Sequence, residues 1–355
     1  MKFFRFLFLL GILAGTISAQ QNYFYTGKDY GSEATFNPVS VIINGGFDIF
    51  QVHRDRDISR VPFYHGLKNV YNNIVDPITP INNYGWWRFI KDQVIPFSID
   101  KNDAQYWPNY TLHLIGGGRT FAALNEWYEY HNFPSPVIFS TLTYAAYHIV
   151  NEAVENQAYQ GDNVDPIADI YIFDIGGAIL FSFDGVKKFF AEEINLADWS
   201  LQPSFTIRNS ELHNVGQYFS IKWKFPFSDN WHLFYYFGTN GVGGLSYKYE
   251  DGTALSVGVG FSATDLIIVD EATNKKSLNL DINAGIFYDK NNSLLASLIY
   301  TRKSDYMLNL NIYPGVLKFG SVSPGLFAAY NPDGKIIWGI NLSWMPFGLA
   351  HFTYK

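Results

Sequence analysis

The chain of 355 residues contains no cysteine. This absence excludes a disulfide framework and the lipid-accepting cysteine that a bacterial lipoprotein carries after its signal. Charged residues are also scarce, at 16% of the chain, whereas a soluble globular protein carries about a quarter. The formal net charge of -7 argues against a nucleic-acid partner, because nucleic acids select basic surfaces.

The apolar run at the N-terminus is too short for a transmembrane helix, which needs about 20 apolar residues. The basic residues Lys2 and Arg5 precede this run, which covers residues 6–13, and small residues follow it up to Ala19. A basic start, a short apolar middle and a small-residue end are the parts of a secretory signal. We therefore expect residues 1–19 to be a signal peptide that is removed near Ala19.

Aromatic residues are abundant, at 18% of the chain, with 25 Tyr and 31 Phe. The mean hydropathy is nevertheless close to zero, at -0.05. A helical membrane protein would be far more hydrophobic on average. A membrane β-barrel gives both properties, because each strand averages one lipid-facing row and one lumen-facing row.

Residues 20–85 are predicted to form a leader. It contains a possible first strand over Val39–Val52, where Val39, Val41 and Ile43 alternate along the chain. A following pair of glycines weakens this strand pattern.

Residues 86–195 are predicted to form a helical module, because apolar residues recur there at helical spacing. The predicted helices lie near Tyr110–Tyr130, Pro136–Gln157 and Pro166–Phe190. Asp165 precedes the third helix as an N-cap, with proline at the first helical position.

Residues 196–355 change to a period of two. In the segment around Val257, apolar residues alternate with serine and glycine, and turn residues separate it from similar segments around Ile221, Ile282, Leu310 and Ile340. We predict a mainly β fold with a helical module. It consists of an antiparallel up-and-down transmembrane β-barrel of about 10 to 12 strands, preceded by three helices that plug or cap it.

The direction of the alternation distinguishes a membrane barrel from a soluble one. A soluble barrel points its apolar row inward and covers its outside with charged residues. Here the other row is mostly Asn, Ser and Gly, which suits a wet or plugged lumen. The sequence therefore favours the membrane barrel over a soluble periplasmic barrel that binds an apolar ligand.

Acidic residues and a histidine lie on the second and third predicted helices, within largely apolar surroundings. Buried carboxylates need water, a cation or each other as partners. If these helices pack through the small residues Gly176, Gly177 and Ala178, their polar side chains converge. The candidate catalytic residues are His148, Glu152, Asp169 and Asp174, and the candidate ligand-binding residues are Tyr144, Glu155 and Glu126.

Three hypotheses compete for this group. The favoured one is a polar network that locks the helices together. A metal or acid–base site is the second, because His148 and Glu152 lie four residues apart on a helix and can share a cation. The third is a ligand or ion path through a plugged lumen. We expect no metal and no cofactor, and we interpret the isolated histidines as hydrogen-bonded or interfacial residues, namely His65, His113, His131, His213, His232 and His351.

The acidic run also carries a resemblance to known families. It consists of Glu152, Ala153, Val154 and Glu155, then Asp165, Pro166, Ile167, Ala168 and Asp169, then Gly176 and Gly177. It resembles the acidic helix-turn-helix signature of bacterial outer-membrane proteins that contain a domain of unknown function. It is also similar to the VanZ-like family, although the basic residue of that family's linking loop is missing here. The resemblance implies an outer-membrane location and no particular chemistry.

The sequence thus predicts an outer-membrane protein that acts in passage or binding of a small solute or lipid, or in envelope maintenance. The expected partners are outer-membrane lipid, the barrel assembly machinery and a small solute or lipid ligand. A lipid- or envelope-modifying enzyme and a soluble periplasmic ligand-binding barrel are the alternatives, and the sequence favours a non-enzymatic role.

Overall fold

The computed structural model describes residues 21–52, 55–96, 108–270, 275–343 and 345–353. The chain divides into two compact units. The helical unit comprises Met1–Thr26, Val61–Lys187 and Leu266–Leu278, and the sheet unit comprises Gly27–Arg60, Lys188–Asp265 and Asn279–Lys355. The expected signal peptide lies outside the described residues, so its removal stays a prediction.

Helices occupy most of the described chain before the sheet, and three α-helices lie within the segment 20–85 that was expected to be a leader. The described α-helices are α1 Pro38–Gly46, α2 Phe63–Val75, α3 Ile78–Tyr84, α4 Trp86–Phe89, α5 Gly118–Tyr130, α6 Pro136–Asn156, α7 Asp165–Ala168, α8 Ile175–Leu180 and α9 Asp184–Lys188. Wider π-helical turns cover Ile90–Val94, Pro108–Gly117, Asp169–Asp174 and Phe189–Glu193. Short 3-10 helices cover Ser32–Thr35, Asp48–Gln51 and Ile58–Arg60.

The strand expected over Val39–Val52 is wrong, because helix α1 begins there. The side chain of Asn37 accepts hydrogen bonds from the backbone N–H groups of Val39 and Ser40, and Pro38 is the first helical residue. The backbone N–H of Asn37 in turn donates to the hydroxyl oxygen of Ser40, which completes a capping box. These local start signals prevail over a short alternation of apolar residues.

The predicted helices of the module are present, with changed ends. The first begins at Pro108 as a π-helix and continues into α5, and the second is α6. The third begins at Asp165, with Val164 rather than Asp165 as its cap residue. It ends at Leu180 instead of continuing to residue 190, since the chain turns there before Asp184 starts α9.

Among the described residues, no single helix is both long enough and apolar enough to cross a membrane. The bent pair Asp165–Leu180 and Asp184–Glu193 meets the criteria of length and composition only when its two parts are taken together.

The helical unit is built around an apolar core between its short helices. Buried residues from α3, α4, α7 and the following π-helix form this core, namely Ile81, Phe89, Val164, Ile167, Ala168 and Phe173. Gly66 lets α2 approach α6 closely, since a Cβ atom at this position would lie 2.1 Å from the carbonyl oxygen of Ala153.

The C-terminal region forms one mostly antiparallel sheet of 13 strands. The strands are β1 Ala197–Asp198, β2 Ser204–Thr206, β3 Glu211–His213, β4 Phe219–Lys224, β5 Trp231–Phe237, β6 Asn240–Lys248, β7 Thr253–Asp270, β8 Lys275–Lys290, β9 Ser293–Thr301, β10 Leu308–Ile312, β11 Pro324–Tyr330, β12 Ile336–Leu342 and β13 Gly348–Thr353. The strand order is β1-β4-β5-β6-β7-β8-β9-β10-β11-β12-β13-β2-β3, and β13 pairs with β2 in parallel. The count exceeds the expected range because β1 to β3 are too short to show an alternating pattern.

The exposed rows of the sheet are apolar and the buried rows are polar, which is the reverse of the usual arrangement in a soluble protein. In β7, Val257 and Val259 are 47% and 68% exposed, whereas Ser256 between its apolar neighbours is fully buried. The same holds in β10, where Leu308 and Leu310 are exposed and the asparagine between them is buried. Exposed apolar residues of the other strands include Trp223, Leu233, Leu245, Leu280, Ile282, Ile286, Leu298, Ile336, Trp338, Ile340 and Leu349.

The buried rows are polar with an aromatic centre. Their polar members include Ser220, Lys222, Ser246, Ser256, Asn283, Asp289, Ser297, Asn309, Asn311 and Asn341. Trp199 is fully buried at the centre and packs against Phe234, Tyr236 and Phe287. Its indole N–H donates to the carbonyl of Asn292, so the aromatic centre is also hydrogen-bonded.

The segment Gly27–Arg60 packs against these buried rows. Asn44 of α1 donates to the carbonyl of Leu201 at 2.9 Å and accepts from the N–H of Gly216 at 3.0 Å. Asp48 accepts from the N–H of Gln217. Phe50 and Gln51 line a cavity of about 60 Å³ together with buried strand residues, among them Asn240, Ser262 and Asn309. A segment expected to be a leader is therefore part of the interior of the sheet unit.

Replacing Asn44 with alanine tests this packing. The substitution leaves a buried carbonyl and a buried N–H without their partners, so we expect the free energy of unfolding of the sheet unit to fall by about 1–3 kcal/mol. Denaturant unfolding followed by near-ultraviolet circular dichroism measures the change. The control Val39→Ala, at an exposed position of the same helix, should stay within about 0.5 kcal/mol. Equal losses in the two variants would contradict the role given to Asn44.

Candidate functional site

Histidine and carboxylate side chains converge inside the helical unit. The group, called the His–carboxylate cluster below, consists of His113, His148, Glu152, Asp169 and Asp174. His113, His148 and Asp174 place one ligand atom each within 4.8 Å of one another, and so do His113, Glu152 and Asp169. The structure therefore brings together all the candidate catalytic residues and adds His113 to them.

Asp174 lies between the two histidines. Its Oδ1 accepts a hydrogen bond from Nδ1 of His113 at 2.9 Å. Its Oδ2 lies 2.9 Å from Nδ1 of His148, but outside hydrogen-bond geometry. On the other side of the His113 ring, Nε2 lies 3.7 Å from Oδ2 of Asp169. The imidazole of His113 thus separates two carboxylates, one at each ring nitrogen.

Glycine residues allow the backbones that carry these groups to approach each other. A Cβ atom on Gly177 would lie 2.4 Å from the carbonyl oxygen of Leu114, and one on Gly118 would lie 2.6 Å from the carbonyl oxygen of Gly177. The small-residue surface at Gly176 and Gly177 therefore meets the segment that carries His113. The expectation that this surface packs on the second predicted helix is wrong in its partner, because Gly177 lies against Leu114 and Gly118 of the preceding helical segment.

His113, Asp169 and Asp174 all lie on π-helical segments, over Pro108–Gly117 and Asp169–Asp174. A π-helical turn contains more than four residues and changes the direction in which the following side chains point. Such turns occur frequently at functional sites. His148 and Glu152 come from the regular helix α6, one turn apart on its buried face.

Aromatic rings enclose the cluster. Tyr147 packs against the His148 ring with a centroid distance of 3.8 Å, and Tyr144 lies edge-on to it at 4.4 Å. The hydroxyl of Tyr144 donates to the backbone carbonyl of Asp174 at 3.2 Å. Tyr144, a candidate ligand-binding residue, is thus a neighbour of the cluster that fixes the π-helix carrying Asp174.

Several polar atoms of the cluster have no hydrogen-bond partner among the described residues. They are both ring nitrogens of His148, Oδ1 of Asp169 and Oδ2 of Asp174, although His148 and Asp174 form a close ion pair. Each of these residues is at least nine-tenths buried. Leaving a buried polar group unpaired costs about 1–3 kcal/mol, and more where the group is charged.

The electrostatics divide the cluster into two parts. Burial and the charge of Asp169 raise the pKa of Glu152 well above its usual range. Burial likewise raises the pKa of Asp169, against the opposing effect of His113. Burial also disfavours ionised Asp174, but the charges of His148 and His113 outweigh it and hold the pKa of Asp174 below its usual range. Asp174 is therefore the carboxylate whose negative charge is balanced by the histidines, whereas Glu152 and Asp169 lack a sufficient positive partner.

The histidines respond differently to the same carboxylates. Burial disfavours protonation of His113, but Asp169 and Asp174 together hold the pKa of His113 well above its usual value. Burial lowers the pKa of His148, and its contact with Asp174 offsets this only in part. His113 is therefore the ring on which the charge of the cluster depends.

The remaining candidates lie outside the cluster. Glu126 accepts hydrogen bonds from the successive backbone N–H groups of Tyr23, Phe24 and Tyr25, at 3.0, 2.7 and 2.8 Å. The Glu126 carboxylate thus holds the backbone of residues 23–25, so we assign no ligand to it. Glu155 is half-buried and acts on Glu152 and Asp169 through its charge.

The expectation that His113 is hydrogen-bonded agrees with its bond to Asp174, but the residue is not isolated, since it lies in the cluster. Its one sequence signal is the pair of glycine-containing segments, which approach each other at Gly118 and Gly177.

No protein-family model matches the chain, and no curated protein or solved structure is significantly similar to it. The resemblance described for the acidic run therefore assigns no residue of this chain a role.

Gly177→Ala tests the close approach that forms the cluster. The added methyl group would meet the backbone of Leu114, so we expect a net destabilisation of the helical unit by about 1–3 kcal/mol, although alanine favours helix formation. The loss of helical circular dichroism on denaturant titration measures it. Gly185→Ala is the matched control, since a Cβ atom there meets nothing within 4 Å. A control variant as unstable as Gly177→Ala would contradict this explanation.

Proposed function

We propose that the protein is an outer-membrane β-barrel protein with a filled interior, which anchors the helical unit in the cell envelope. The exposed apolar rows and buried polar rows of the sheet carry this proposal. A sheet surrounded by water buries its apolar row, whereas a barrel in a bilayer directs that row toward lipid. The inverted arrangement favours the membrane barrel over the soluble ligand-binding barrel.

The strand pairing supports closure of the sheet into a barrel. Strands β1 and β2 belong to one extended stretch, Ala197–Thr206, and β1 pairs with β4 while β2 pairs with β13. Between them, the N–H groups of Trp199 and Leu201 donate to the carbonyls of Tyr218 and Gly216. A single stretch thus connects the first and last long strands. Closure is required in lipid, because an open edge leaves backbone groups unpaired.

The contents of the sheet unit support an anchoring role over solute passage. The segment Gly27–Arg60, the aromatic centre around Trp199 and the buried ion pair between Lys222 and Asp289 occupy the inner rows. The cavity beside Phe50 holds about 60 Å³. Envelope maintenance through the attached helical unit is therefore the activity we favour.

The His–carboxylate cluster supports a second candidate, a lipid- or envelope-modifying enzyme. Buried titratable groups with opposite pKa shifts are frequent at catalytic sites. His148 and Asp169 have buried polar atoms without a hydrogen-bond partner among the described residues, which is consistent with groups that exchange protons.

Heat-modifiability tests the anchoring proposal. We expect the full chain in the outer-membrane fraction, with a gel mobility in detergent that changes on boiling, because closed barrels resist detergent until heated. Fractionation followed by electrophoresis of heated and unheated samples measures both properties. Recovery in the osmotic-shock fluid without a mobility change would overturn the proposal and favour the soluble barrel.

Val259→Lys tests whether the exposed face contacts lipid. Placing a lysine on the lipid face of a barrel costs about 1–4 kcal/mol, depending on depth, whereas the same change on a water-exposed surface costs less than about 0.5 kcal/mol. We therefore expect a clear loss in the free energy of unfolding in lipid vesicles. Glu250→Lys, in the turn before β7, is the control and should have no such effect. A neutral result at residue 259 would count against lipid contact.

A further inference from the structure

We propose that the His–carboxylate cluster is a divalent-cation site in which His113, Glu152 and Asp169 bind the ion and Asp174 orients His113. This inference goes beyond the anchoring proposal and does not depend on it. It concerns only the helical unit.

The positions of the donor atoms suit one ion. The ligand atoms of these residues lie within 4.8 Å of one another, and Nε2 of His113 lies 3.7 Å from Oδ2 of Asp169. Donors bound to the same ion at about 2.0–2.2 Å lie about 3–4 Å apart. Small side-chain movements therefore bring the donor atoms into binding distance.

The hydrogen bond to Asp174 prepares His113 for this role. Once an ion displaces the proton from Nε2, the hydrogen bond from Nδ1 to Asp174 keeps the ring in place, with Nε2 facing Oδ2 of Asp169. A carboxylate on the far nitrogen is the common arrangement of metal-binding histidines, because it fixes the ring and its tautomer. Tyr144 in turn holds the backbone of Asp174.

One buried carboxylate oxygen of the cluster is available to an ion. Oδ1 of Asp169 is buried without a hydrogen-bond partner among the described residues, and only 7% of the Asp169 side chain is exposed. Among the described residues, Asp169 and Asp174 form their ion pairs with histidine and not with lysine or arginine. A divalent cation supplies the missing positive charge for Asp169 and Glu152 together.

The donor set selects the class of ion. One imidazole with two carboxylates suits Zn²⁺, Mn²⁺ or Fe²⁺, whereas Ca²⁺ and Mg²⁺ prefer oxygen ligands alone. A site with three protein ligands leaves a coordination position for water or a substrate.

Metal titration of the full chain tests the proposal. The chain is purified from whichever fraction contains it, treated with a chelator, and titrated with Zn²⁺ in a calorimeter, with Mn²⁺ as a second probe. We expect one ion per chain, and a loss of affinity of at least about 10-fold in Glu152→Gln and in Asp169→Asn. The controls His131→Gln and Asp162→Asn remove the same chemical groups at exposed positions and should bind as the original chain does.

A stability measurement keeps the test valid if a variant folds poorly. At one fixed concentration, Zn²⁺ should raise the unfolding temperature of the helical unit in the original chain and in both controls, and clearly less in the Glu152 and Asp169 variants. Absence of binding in the original chain would overturn the proposal. Binding that survives Glu152→Gln and Asp169→Asn but is lost in His148→Gln would overturn the ligand assignment. Because binding is measured wherever the chain fractionates, failure of the membrane proposal is a separate result.

Discussion

The inverted sheet imposes the main constraint on this molecule. A sheet that turns serine, asparagine and lysine inward must supply hydrogen-bond partners for them, because buried polar groups left unpaired cost stability. The segment Gly27–Arg60 meets part of this demand through Asn44 and Asp48, which bind backbone groups of the sheet unit. The aromatic centre around Trp199 fills the remaining space with side chains that also form hydrogen bonds. The interior residues and the strands of the sheet unit therefore depend on each other for their packing and their hydrogen bonds.

Buried charge is compensated differently in the two units. In the sheet unit, Lys222 pairs with Asp289 at 2.7 Å, so one positive and one negative side chain neutralise each other directly. In the helical unit, the carboxylates of Glu152 and Asp169 share the single ring of His113. The two charges of a buried ion pair balance each other, whereas two buried carboxylates that share one histidine need a further positive charge when they are ionised. This contrast is the physical basis for assigning a cation to the helical unit alone.

The sequence was sufficient for the large features and insufficient for those set by tertiary contacts. Alternation predicted β4, β7, β8, β10 and β12, and helical spacing predicted α6 to within a residue of its end. The expected strand at Val39–Val52 failed because a capping box at Asn37 prevails over a short apolar alternation. His113 was missed because its position depends on the contact between Gly118 and Gly177, which are distant in sequence. The short strands β1 to β3 escape any periodicity argument because they contain only two or three residues.

The order of the parts along the chain has a consequence for folding. The helical unit is largely inserted between Gly27–Arg60 and Lys188–Asp265, which belong to the same sheet unit. Contacts between residues close in sequence form faster than contacts that close long loops. All members of the His–carboxylate cluster are present once Asp174 has been synthesised, whereas Asn44 waits for Gly216 to complete its hydrogen bonds. The N-terminal part of the interior is thus made early, but it can form its hydrogen bonds to the sheet unit only after residue 216 has been made.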